Sequence, residues 1–176
     1  MSQSSASERL PYCRFRIVLH WLSAVVILWV LPSGFYIAMF DVPVLYRERI
    51  GLFNIFVGTL FIPFFVIRML VCLAHVRSDC RCLDSAQAWA AFAVHKLIYL
   101  TTAVVLASGV LMMKQPTDVF GLFVMPAPLQ GGAGIDLFMQ VHRLSCILLG
   151  LLVFLHVAAV LRHELSGRSV LWRMRW

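Results

Sequence analysis

Residues 142–161, HRLSCILLGLLVFLHVAAVL, decide the fold. From Leu144 to Leu161 the run carries no Asp, Glu, Lys or Arg, and an apolar segment of that length crosses the hydrocarbon core of a bilayer as a helix. His142 and His156 bracket it, 14 residues apart. At about 100° and 1.5 Å per residue that is nearly four turns, so both rings leave one helix face at levels about 21 Å apart. Two depths of a membrane are thereby served from a single face.

Three further runs of the same kind precede it, at Ile17–Met39, Leu52–Ala74 and Ala91–Met113. The chain has 176 residues, 61% hydrophobic and 13% charged, far more apolar than soluble domains. Four spans with short connections consume that length, which predicts an all-α, integral-membrane four-helix bundle forming one domain over residues 1–176. The lipid bilayer is its first partner. The first run is too long and lacks the small-residue cleavage site of a signal peptide, so it is expected to remain as a helix.

Lys and Arg set the orientation. Arg9, Arg14, Arg16, Arg77, Arg81, Arg162, Arg168, Arg173 and Arg175 fall on the side of the termini and the second connection. Arg47, Arg49, Lys114 and Arg143 fall opposite, a bias of nine to four. The positive-inside rule then predicts a multi-pass chain with both termini in the cytoplasm. The same rule accounts for the net charge of +7 without invoking nucleic acid. The third connection, Lys114 to Gln140, holds Pro116, Pro126, Pro128 and a Gly131-Gly132-Ala133-Gly134 run. It reads as too broken for a long helix and as a cover for the outer end of the bundle.

Ionisable side chains inside a span are rare and usually functional. His20 opens the first span, His95 the third, and His142 and His156 lie on the fourth. Antiparallel helices bring the start of one beside the end of the other, which matches His20 with His156. Two such imidazoles can hold a low-spin haem b iron from both faces, an arrangement suited to one-electron transfer. His142, at the other depth, is the candidate for a second haem. His95, beside Lys96, is read as a propionate partner or as lining a quinone or proton site, with a plain interface role equally open. Arg68 and Lys96 are cations placed to meet haem propionates, snorkelling being the alternative. His75 and His163 fall at the boundary and need no special role. Gly58, Gly109 and Gly150 admit either a flat macrocycle or a neighbouring helix.

Other chemistry is poorly represented. Cys80 and Cys82 are two thiols without further ligands, and the five cysteines form no disulfide framework. No Cys-x-x-Cys-His, Walker or dinucleotide motif occurs, so covalent haem and nucleotide cofactors are not expected. A metal transporter would call for carboxylates within the apolar spans, and these have none.

The ordered set His20-Trp21, Gly58 with Val66-Ile67-Arg68, His95-Lys-Leu-Ile-Tyr99, Gly109-Val-Leu-Met-Met113, Phe120-Gly-Leu-Phe-Val-Met-Pro126, the fourth-helix histidines and Ser169-Val-Leu-Trp-Arg-Met174 resembles the bacterial cytochrome b561 family. That family is akin to the cytochrome b subunits of nickel-iron hydrogenases and formate dehydrogenases. The resemblance implies two b haems, one held from the first and fourth helices and one from the second and fourth. Carried over, His20 and His156 hold the cytoplasmic-side haem and His142 serves the periplasmic-side one. Anchored on Gly58 and Arg68, the second-helix histidine of the family falls on Asn54. An amide is a poor ligand for haem iron, so the outer haem is lost, five-coordinate on His142, or held by another group. The implied function is one-electron transfer to or from quinone or a partner oxidoreductase, free-standing or within a larger enzyme, with a homodimer left open. The alternative is a haem-poor membrane anchor or assembly partner with its outer site degenerate.

Overall fold

The structure is a computed structural model that describes residues 14–81, 85–129 and 132–167, the side chains of 75–81 excepted. Cys82, the side chains of His75, Arg77, Cys80 and Arg81, and the tail motif from Ser169 lie outside that description, as do Arg9, Arg168, Arg173 and Arg175.

Four helices follow one another: α1 (Arg14–Met39), α2 (Val44–Arg81), α3 (Ala86–Leu111) and α4 (Gly132–Leu165). Each contains a segment long and apolar enough to cross a membrane. They form an all-α membrane bundle, in which backbone groups satisfy one another within each helix as hydrocarbon requires. Many large apolar side chains, Met39, Leu70 and Phe154 among them, point outward. In water that surface would drive aggregation; in lipid it is the solvated face.

All four helices outrun the apolar segments that announce them. The largest extensions are in α2 and α4, and the first turns of α4 occupy the Gly-rich end of the stretch expected to be loop. Proline is what excludes a helix there, and the prolines end at Pro128; glycine is tolerated at a helix start. The rest of the connection is a small hairpin, β1 (Thr117–Val119) against β2 (Phe123–Met125), antiparallel with Asp118 opposite Val124. Its turn needs two left-handed residues, Phe120 (φ 55°) and Gly121 (φ 69°). The Asp118 carboxylate secures it by accepting from Gly121 N at 3.0 Å. Val119 is fully buried, and the Phe120 ring meets Phe56 of α2 edge-on, so the hairpin is pinned to the bundle's end.

The helices pack as two hairpin-like pairs, α1 with α2 and α3 with α4, and the pairs approach each other less closely through α2 and α3. Between α1 and α4, the Phe35 ring fills the notch at Gly150, 3.4 Å from where a Cβ would stand. Buried hydroxyls are satisfied locally: Ser23 donates to Leu19 O and Thr102 to Ile98 O, each at 2.7 Å. No buried side-chain N or O among the described residues is left without a partner, as a low-dielectric interior demands.

Candidate functional site

Each helix carries one polar residue at each of two levels. Toward the end where the described chain begins and finishes, the terminal end, these are His20 on α1, Arg68 on α2, His95 on α3 and His156 on α4. Counting along each helix by 13, 14, 13 and 14 residues reaches Ser33, Asn54, Ser108 and His142. At 1.5 Å per residue the two tiers lie about 20 Å apart. The structure bonds the members pairwise, which establishes that neighbouring helices run antiparallel in this register.

The terminal tier is dense. Arg68 Nη2 donates to His20 Nδ1 at 3.0 Å, and its Nε donates to the Tyr99 hydroxyl at 2.9 Å. The guanidinium also lies 4.8 Å from the centroid of the Tyr99 ring, so Arg68 joins the two helix pairs. The His95 and His156 rings meet edge to face with centroids 4.9 Å apart. His20, Arg68, His95 and His156 all fall within electrostatic range of one another. The sequence paired His20 with His156 by depth and named His95 and Arg68 as neighbours of the haem; the fold brings all four to one place. Lys96 departs from them: its ammonium donates to Cys72 Sγ at 2.9 Å and lies over the Phe92 ring.

The second tier is sparser. Ser33 Oγ lies 3.0 Å from Asn54 Oδ1, tying α1 to α2. His142 Nδ1 lies 3.1 Å from Val105 O and 3.3 Å from Ser108 Oγ, tying α4 to α3. A carbonyl can only accept, so Nδ1 carries the proton and His142 Nε2 presents a lone pair. The Cys146 thiol lies one turn along α4, its sulfur 3.5 Å from Nε2. The ring sits on Gly109, where a Cβ would stand 3.3 Å from its Cε1. Gly58, one turn from Asn54, differs: a Cβ there would meet nothing within 4 Å.

Ser33 and Ser108 were not singled out from sequence, and Tyr99 and Cys146 were given no role at the site. The first two stand 13 residues beyond His20 and His95, a spacing that pairs them with the histidines once the tiers are recognised. Among the described residues no group of three or more His, Cys, Asp and Glu is placed to hold a bare metal ion.

Four apolar spans with imidazoles at two depths define an integral membrane protein that keeps its chemistry inside the bundle. The chain belongs to the prokaryotic cytochrome b561 family, whose sequence pattern matches residues 12–176. It is therefore a multi-pass bacterial membrane protein, a b-type cytochrome that binds haem b and takes part in electron transfer. No curated protein matches the sequence.

Proposed function

We propose that haem b is held at the terminal tier by His20 of α1 and His156 of α4, and that the protein passes single electrons between this haem and quinone or a partner oxidoreductase. The observation that carries the reading is the convergence of His20, His156, His95 and Arg68 at one depth. The donor set fits the group: two imidazoles from different helix pairs, and a cation beside one of them for the propionates. Bound there, the iron would supply a reversible one-electron couple.

The residues' own work is positional. Arg68 donates to His20 Nδ1, so the neutral ring carries its proton on Nε2. For Nε2 to serve as a ligand that proton must move to Nδ1, and Arg68 must release the ring. The released guanidinium is then available to a propionate while Tyr99 continues to hold it. His95, against His156, orients that ring. Lys96 reaches a propionate only by leaving Cys72. In this reading the tier lies on the cytoplasmic side of the bacterial inner membrane, which the arginine bias supports.

The test is the haem spectrum of purified protein. His20→Ala and His156→Ala should each abolish the low-spin haem signal, and His142→Ala should leave it mostly intact. Loss of all haem in His142→Ala alone, or a low-spin signal surviving both terminal-tier substitutions, would overturn the assignment.

A further inference from the structure

The second tier has what a haem needs on one side and something different on the other. His142 is prepared as a ligand: its Nδ1–H is spent on Val105 O at 3.1 Å, which fixes the ring and leaves the lone pair on Nε2. Metal-binding histidines are commonly held in this way by a backbone carbonyl. Among the described side chains no second histidine stands at that level, because His20, His95 and His156 all occupy the terminal tier and His163 lies further along α4. The level is instead shared by an amide, Asn54, on the other helix pair.

We propose that the second tier binds a second haem through His142 alone, and that Asn54 supplies a hydrogen bond to a neutral diatomic ligand, of the O2, CO or NO class, at the remaining position of the iron. The proposal rests on the reading of the protein as a haem carrier and adds a distinct ligand-binding site to it.

Three observations support the assignment. The Asn54 amide is oriented by Ser33 at 3.0 Å. Ser33 has one hydroxyl proton and two acceptors in reach, Val30 O at 3.1 Å and Asn54 Oδ1. If the proton goes to Asn54, both amide N–H groups remain available; if it goes to Val30, the amide turns and one remains. Either way Asn54 keeps a donor, as a polar distal group must. The adjoining Gly58 has open space where a Cβ would be, whereas Gly109 and Gly150 are filled by His142 and Phe35. No side chain therefore closes over α2 beside Asn54 at Gly58. The Cys146 thiol, 3.5 Å from Nε2, is a weak donor and yields that nitrogen at small cost.

The experiment uses full-length purified protein, haem quantitation by pyridine haemochromogen, and the spectrum of the dithionite-reduced protein before and after carbon monoxide. Two haems per chain are expected, with about half of the signal shifting on CO. His142→Ala should remove the CO-responsive half and keep the low-spin half. Asn54→His should retain two haems and abolish the CO response by filling the open position. Asn54→Leu should keep the response and raise the C–O stretching frequency, because the donor is gone. One haem with no CO response, or two with none, overturns the proposal while leaving the terminal-tier haem standing. Absence of all haem overturns both.

Discussion

Arg68 Nη2 stands 3.0 Å from His20 Nδ1, and that single contact fixes which nitrogen of His20 bears the proton. The same guanidinium donates to Tyr99, so an arginine of α2 ties α1 to α3 beside the proposed ligands. A fixed positive charge near a haem iron favours the ferrous state. A unit charge about 8 Å away at an effective dielectric of about 20 contributes about 2 kcal/mol. Arg68→Met should therefore lower the midpoint potential by up to about 90 mV, and Arg68→Lys should recover most of it. A redox titration of the low-spin signal reads both; an unchanged potential in Arg68→Met would remove Arg68 from the haem's surroundings.

His95 and His156 compete for the same role by position, their rings being 4.9 Å apart. The reading above makes His156 the ligand and His95 the residue that orients it. His95→Phe preserves an edge-to-face contact and should keep the low-spin spectrum, with altered line shape in electron paramagnetic resonance. His156→Ala should lose it. The reverse pattern would transfer the ligand role to His95.

Four spans were legible because their signal is composition over long windows, which survives ignorance of tertiary contacts. The terminal tier was half legible: buried histidines in hydrocarbon stand out, and the depths of His20 and His156 could be counted. What could not be counted was azimuth. That Arg68 turns toward His20 and Tyr99, and Lys96 toward Cys72, depends on helix rotation within the bundle, which near-uniformly apolar helices do not encode in their periodicity. Ser33 and Ser108 escaped notice because serine inside a span usually bonds its own backbone, and both also do so here. The start of α4 was missed because glycines were weighed as strongly as prolines.

Orientation is open to direct measurement. The nine-to-four distribution of Lys and Arg is the basis for proposing that both termini and the α2–α3 connection face the cytoplasm. A reporter that is active only outside the cytoplasm should be silent when fused at the C-terminus and active when inserted between Pro126 and Leu129, beyond the hairpin. Activity at the C-terminus would reverse the topology and place the terminal tier on the periplasmic side.

Gly109 and Gly150 offer a matched pair of substitutions with different expected effects. Replacing a helix-interior glycine by alanine gains up to about 1 kcal/mol in backbone terms when space allows. At Gly150 the new Cβ would meet the Phe35 ring at 3.4 Å, an ordinary contact with the far edge of a side chain that has room to tilt. At Gly109 it would meet His142 Cε1 at 3.3 Å, and that ring is tethered through Nδ1 to Val105 O. The ring can withdraw only by stretching the tether, and a lost hydrogen bond costs about 1 kcal/mol. Gly150→Ala should therefore be at least as stable as the parent in detergent, and Gly109→Ala should fall about 1 kcal/mol below Gly150→Ala. Gly109→Ala should also reduce the CO-responsive haem selectively, since it disturbs His142 and nothing in the terminal tier. Equal stability of the two variants, with the CO response intact, would show that His142 is not seated on α3 as described.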